Sequence, residues 1–124
     1  MFTNNLENTK LLSDFQSSID SLKEDAEDLK VIRERWFLIR NRKEKLYQEK
    51  VEDLKNADLN EQASYIKEVD VESFRKVFVE SCTEWASVSR RLMQVEQAIS
   101  LLEKSYGAAL ANKNLTGEQK DSSN

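Results

Sequence analysis

Histidine and proline are absent from this 124-residue sequence, and it has only one cysteine and two glycines. Without histidine the chain lacks the commonest general base and the commonest transition-metal ligand. The single Cys82 excludes an intramolecular disulfide framework and a zinc site built from cysteines and histidines. Gly107 and Gly117 are ten residues apart and form no phosphate-binding loop. The sequence therefore predicts a protein that is not an enzyme and has neither a metal site nor a cofactor.

Long apolar runs are also missing. No stretch is long enough to span a bilayer, and the N-terminal residues MFTNNLENTK contain no apolar core of signal-peptide length. With only one cysteine, an intracellular location is expected, in the cytoplasm or alternatively the nucleus. The net charge of −4 gives no overall attraction to nucleic acid or to anionic lipid.

Charged residues and helix formers are what the sequence has in abundance. Charged residues make up 34% of the chain and apolar residues 39%, whereas globular domains usually have roughly 25% and 45–50%. The first hundred residues contain neither glycine nor proline, the residues that most often interrupt helices. This composition predicts an all-α protein built from long helices.

The first helix is predicted from about residue 5 to residue 55. Its apolar residues alternate at spacings of three and four, the pattern of a helix that packs along one seam: Leu12, Phe15, Ile19, Leu22, Ala26 and Leu29. The next apolar residue, Ile32, follows Leu29 by three positions instead of four. We therefore expect the seam to change phase here and to continue through Trp36 and Ile39.

A second long helix is predicted from about residue 70 to residue 110. Asp58 and Glu61 favour a short helix at 59–68, and Asp70 is a suitable N-terminal cap for the long helix that follows. The alternation of three and four is regular from Trp85 to Tyr106. Residues 1–111 are predicted to form one domain, and the polar residues 112–124 a disordered tail.

Two long amphipathic helices joined by a short connection fold back on each other most simply as an elongated antiparallel helical hairpin or coiled coil. With the turn centred near residue 63, facing residues have numbers that add to about 126. Glu80 and Glu84 then come opposite Lys45 and Arg42.

The stretch RERWFLIRNRKEK, residues 33–45, carries four consecutive large apolar residues, Trp36 to Ile39, which we call the collar. Trp36 and Ile39 can share the stripe that faces the second helix, but Phe37 and Leu38 point sideways and away from it. A helix that is apolar on all sides is buried on all sides, so a partner chain is expected to cover the collar. Leu6, Leu11 and Leu12 need cover for a different reason, because the predicted second helix ends before it reaches them.

The basic residues of 33–45 allow three interpretations. They can pair with acidic residues inside the hairpin, they can bind an acidic protein partner, or they can bind nucleic acid in a salt-sensitive manner. Stacking on nucleic-acid bases would require exposed rings, whereas these aromatic residues lie on the seam or beside it.

The expected function is that of a non-catalytic coiled-coil interaction subunit in a hetero-oligomeric complex of the adaptor, vesicle-tethering or cytoskeletal and spindle type. A dedicated chaperone or inhibitor that wraps one client protein is the first alternative, and nucleic-acid binding through 33–45 is the second. The partners are expected to be helical proteins, and a hetero-oligomer is favoured over a homodimer. Ten residues are predicted to contact them: Leu6, Leu11, Leu12, Arg35, Trp36, Phe37, Leu38, Ile39, Arg40 and Arg42.

Overall fold

A computed structural model of the chain describes the backbone of residues 2–57 and 60–122, and the side chains of residues 9–57, 60 and 63–113. The two helices α1 (Phe2–Asn56) and α2 (Glu61–Ser122) pack against each other, and the described residues contain no strand. The predicted all-α helical hairpin is confirmed. Neither helix has, within the described residues, a stretch long and apolar enough to cross a membrane.

The N-terminus of α2 is capped by Asn60. Its side-chain Oδ1 accepts a hydrogen bond from the backbone N–H of Ala63 at 2.9 Å, and its carbonyl oxygen accepts one from the N–H of Ser64 at 2.9 Å. The separate helix predicted at 59–68 and the helix start predicted at Asp70 are therefore wrong. With no glycine or proline between Asn60 and Gly107, the backbone passes through Asp70 as uninterrupted helix.

The second helix also extends further than the pattern of apolar residues predicts. It passes through Gly107, which has no positive φ, and continues to Ser122. Most of the stretch 112–124 is therefore helical, and the predicted disordered tail is wrong for residues 112–122. One glycine inside a helix costs only about 1 kcal/mol, which is too little to end it. The domain boundary at residue 111 stays a prediction.

The contacts within the chain divide it into two compact units, which are described separately. The first unit comprises residues 1–28 and 92–124. Leu12, Ile19 and Ala26, which recur every seven residues on α1, are buried there, and Leu92 on α2 is 1% exposed. This burial confirms the predicted seam of the first unit. An ion pair joins Lys23 and Glu103 at 3.4 Å, and the two residue numbers add to the expected 126.

The second unit comprises residues 29–91. The heptad of α1 continues through it, with half-buried residues at Leu29, Trp36, Arg40, Lys43, Tyr47 and Leu54. Residues beside the heptad positions are half-buried as well: Ile39, Glu44, Leu46 and Val51. The predicted seam residues Trp36 and Ile39 are half-buried, but Ile32 is exposed, so the predicted change of phase at Ile32 is wrong. Two of the heptad positions carry basic residues, because long basic side chains can lay their apolar stems along neighbouring rings.

Aromatic contacts join the two helices of the second unit. The rings of Tyr47 and Phe78 stack with centroids 6.1 Å apart and an interplanar angle of 19°. The ammonium nitrogen of Lys50 lies 5.4 Å from the ring centroid of Phe74. These pairs have residue numbers that add to 125 and 124, close to the predicted register.

Candidate interaction surface

Phe37, Arg40 and Trp85 form a layer of contacts across the second unit. The ring centroids of Phe37 and Trp85 are 6.4 Å apart at 46°, and the guanidinium carbon of Arg40 lies 5.5 Å from the first centroid and 5.1 Å from the second. The expectation that Phe37 points away from the second helix is therefore wrong in part, since one face of its ring meets Trp85. The side chain is still 37% exposed.

The three arginines predicted to select a partner lie in different surroundings. Arg40 is half-buried, its Nη2 donates to Asn41 Oδ1 at 3.4 Å, and its Nε is buried without a hydrogen bond in the described part of the chain. Its charge is instead placed against two aromatic rings. Arg35 and Arg42 are exposed. Arg40 therefore stabilises the hairpin, and Arg35 and Arg42 are the two available to a partner.

An open groove of about 570 Å³ runs along one side of the second unit, beside the collar. We call it the Trp36 groove; its walls come from both helices and consist of Trp36, Ile39, Lys43, Val77, Glu80, Ser81 and Glu84. Ser81 is buried, and its hydroxyl donates to the carbonyl oxygens of Val77 at 3.0 Å and Phe78 at 2.7 Å. Ser81 therefore contributes a small side chain to the wall of the groove, with its hydroxyl hydrogen-bonded to its own helix.

The edges of the Trp36 groove are charged. Glu80 and Glu84 are exposed on the α2 edge, one helical turn apart, and the half-buried Lys43 lies on the α1 edge. Among the residues that the structure describes, no ion pair joins either glutamate to Lys45 or Arg42. The predicted neutralisation of the basic cluster by these glutamates is therefore not found.

A second surface lies on α1 and points away from the seam. Val31, Arg35, Leu38 and Arg42 follow one another at spacings of four, three and four, so they share one helix face, and all four are exposed. We call this face the outward stripe. Val31 and Leu38 are each 54% exposed, as expected for residues that α2 cannot reach.

The N-terminal leucines fit the prediction less well. Leu12 is buried, with 9% of its surface exposed, so its assignment to a partner contact is wrong. The reason is the length of α2, which continues past residue 111 and can lie beside Leu12. Leu11 is exposed, and the side chain of Leu6 lies outside the described residues.

Two surface residues were missed by the sequence analysis, Val77 and Ile32, and Lys43 was considered only as one of the basic residues of 33–45. Val77 and Lys43 line the Trp36 groove, and the exposed Ile32 lies on α1 one turn before Trp36. The signal that could have found Ile32 was its position off the heptad: an apolar residue that breaks the register is a surface residue if the register does not shift. Val77 gave no such signal, since it neighbours the seam residue Phe78.

The described surface can bind another molecule through apolar contacts and through its charged side chains. Among the described side chains, no three acidic or cysteine groups come close enough to hold a metal ion. A comparison of the chain with known protein families, characterised proteins and solved structures gives no match. Function is therefore inferred from the residues of this chain alone.

Proposed function

We propose that this protein is a non-catalytic interaction subunit of a hetero-oligomeric complex, of the adaptor, tethering or cytoskeletal type, that forms a helical bundle with its partner subunits. The observation that supports this proposal is the apolar surface around the collar. Leu38 and Val31 are exposed on one face of α1, and Trp36 and Ile39 line the Trp36 groove beside it.

The position of these side chains matters more than their number. Single exposed apolar residues are normal on a protein surface. Here they cluster within three helical turns and on two faces of α1, while a third face packs on α2. A helix with apolar residues on several faces packs on several sides, and partner helices would cover the two open ones. Burying Val31 and Leu38 would contribute roughly 1.5–3 kcal/mol each.

Nucleic-acid binding through 33–45 has weaker support. The Phe37 ring and the Arg40 guanidinium are engaged with Trp85, so neither is free for stacking on a base. The neighbouring Glu80 and Glu84 would also repel phosphates. A chaperone or inhibitor would use the same apolar surface, and it differs from the proposed subunit in binding one client that it later releases.

The double variant Val31→Ser/Leu38→Ser tests the proposal, with Leu101→Ser as the control. Leu101 is 65% exposed, but it lies in the first unit. The tagged full-length chain would be purified under native conditions and the stoichiometry of its companions measured by quantitative mass spectrometry. We expect the unaltered chain and the control to retain constant stoichiometric companions, and the double variant to lose them by about tenfold or more.

Two results would contradict the proposal. One is an unaltered chain that is monomeric by light scattering and has no stoichiometric companion. The other is a double variant that loses its helix content by circular dichroism, because its side chains would then belong to the hairpin's own core. A single companion that is present only transiently would favour the chaperone. Phe37 is left unaltered because its contact with Trp85 would confuse the result.

A further inference from the structure

We infer that the Trp36 groove binds one helix of a partner subunit, and that the apolar stripe of this helix is flanked by lysine or arginine on the side that meets Glu80 and Glu84. The inference rests on the proposed function and specifies the chemistry of one partner. It is carried by the shape of the groove, its apolar floor and the charges on its edges.

The shape of the groove fits a helix. It lies between two helices that pack side by side, and the section of α1 from Trp36 to Lys43 spans two turns, roughly 10 Å at 1.5 Å per residue. A third helix laid along it contacts both walls, which is the arrangement of a helical bundle. An extended segment or a loop would place unpaired backbone N–H and C=O groups against the apolar floor.

The floor supplies the apolar contacts. Trp36 and Ile39 contribute it from α1 and Val77 from α2, and Ile32, one turn before Trp36 on α1, is exposed. Aromatic side chains in a partly covered pocket are the usual anchors of protein interfaces. The partner helix is therefore expected to present two or three apolar residues spaced by three and four, the spacing that matches this length of α1.

The two glutamates on the α2 edge of the groove favour basic residues on the side of the partner helix that meets them. Glu80 and Glu84 lie four residues apart on one edge and have no ion-pair partner in the described part of the chain. Glu72, on the same helix, is by contrast paired with Arg75 at 2.7 Å. Basic residues at matching spacing on the partner would neutralise Glu80 and Glu84, whereas acidic ones would place like charges opposite each other.

A second copy of this chain is the main competing occupant, because Arg35 and Arg42 flank the apolar residues of its outward stripe. Such a contact joins two different surfaces, so each copy that fills a neighbour's groove leaves its own groove open unless a ring closes. A different protein fills the groove without creating another open one. We therefore favour a partner subunit, and the experiment includes the second copy as an outcome.

The probes are two synthetic helical peptides with the same leucine stripe, one with lysines and the other with glutamates on the side of the stripe that meets Glu80 and Glu84. Their binding to the full chain would be measured by fluorescence anisotropy. We expect the lysine peptide to bind about tenfold or more tightly than the glutamate peptide, and Glu80→Lys/Glu84→Lys to reverse this preference. The ratio of the two peptides' affinities should fall as added salt screens the exposed charges.

Glu49→Lys/Asp53→Lys is the matched control. These two acidic residues are also exposed and four positions apart in the second unit, but they do not line the groove. The control changes the net charge by the same amount as Glu80→Lys/Glu84→Lys, so a general electrostatic effect would appear in both variants. We expect the control to keep the preference for the lysine peptide.

The inference is wrong if Glu80→Lys/Glu84→Lys binds both peptides as the unaltered chain does. It is also wrong if the chain self-associates by sedimentation and Arg35→Glu/Arg42→Glu makes it monomeric and opens the groove to the peptide, because a second copy would then be the occupant. Neither result touches the proposed function. That proposal fails if the unaltered chain is monomeric without a stoichiometric companion, or if Val31→Ser/Leu38→Ser loses its helix content.

Discussion

Arg40 and Lys50 occupy positions of α1 that face α2, where an apolar residue is usual. Each places its charged group over an aromatic ring, Arg40 over Trp85 at 5.1 Å and Lys50 over Phe74 at 5.4 Å. Such contacts contribute about 0.5–2 kcal/mol, and the side-chain stems add apolar cover. The pattern of apolar residues alone therefore does not mark these positions as part of the seam. It marks Ile32 instead, which is exposed.

The core residue Leu92 gives the first prediction. It is the largest side chain that is fully buried in the described part of the chain. Leu92→Ala should lower the free energy of unfolding by about 2–5 kcal/mol, because it removes buried methyl groups and leaves a cavity. Urea denaturation followed by circular dichroism measures the change.

Leu101→Ala serves as the matched control for Leu92→Ala. It makes the same chemical change at an exposed site on the same helix and should alter the free energy of unfolding by no more than about 0.5 kcal/mol. Equal effects of the two substitutions would show that Leu92 is not packed as described.

The Glu72–Arg75 pair gives a prediction about pH. Hydrogen bonds from the Arg75 guanidinium, at 2.9 and 2.7 Å, hold the pKa of Glu72 below its ordinary value of 4.5. A carboxyl whose pKa is lower in the folded state stabilises the fold above its unfolded pKa, and this contribution is lost as the pH falls through the folded pKa. Glu72→Gln should therefore lower the urea midpoint slightly at neutral pH and have no such effect in strong acid.

The control for Glu72→Gln is the same substitution in an Arg75→Gln background. There it should change the urea midpoint less at neutral pH, because the hydrogen-bond partner is already gone. The effect is expected to be small in every case, since both side chains are about half exposed and solvent screens the pair. A loss of stability that persists unchanged in acid would assign the effect of Glu72→Gln to helix propensity.

At the scale of the helices, the sequence predicts the two elements and their pairing but not where α2 begins and ends. The pairing follows from the regular heptads, which the buried Leu12, Ile19, Ala26 and Leu92 confirm. The ends differ from the prediction because a possible cap such as Asp70, or the last residue of an apolar pattern, does not by itself begin or end a helix. Asp70 lies inside α2 with helix on both sides, so its capping ability has no effect on the backbone.

Gly107 provides a prediction that distinguishes a helix α2 that continues through this residue from one that ends at it. In the structure it lies inside the helix with no positive φ, and a Cβ placed on it would meet nothing within 4 Å. Gly107→Ala should therefore raise the free energy of unfolding by about 0.5–1 kcal/mol. If Gly107 instead ended the helix in a left-handed conformation, as the sequence allows, the same substitution would be destabilising. Urea denaturation distinguishes the two signs.

At the scale of the whole molecule, the collar could be predicted from the sequence and the Trp36 groove could not. Four consecutive large apolar residues cannot all lie on one face of a helix, and the sequence alone shows this. The groove is lined by residues of both helices, Trp36 of α1 and the buried Ser81 of α2 among them, so it depends on how α1 and α2 are paired. The sequence of one helix alone does not show which residues of the other helix lie beside it.

The exposed apolar surface and the net charge together predict how the isolated chain behaves as the pH changes. At neutral pH the charge of −4 opposes association, and near the isoelectric point of about 5.0 this repulsion vanishes while the outward stripe stays exposed. Light scattering at fixed concentration should therefore rise to a maximum near pH 5. Val31→Ser/Leu38→Ser should lower this maximum without moving it, because the charge is unchanged. A maximum of the same height in the variant would mean that charge alone governs association and that the stripe has no part in it.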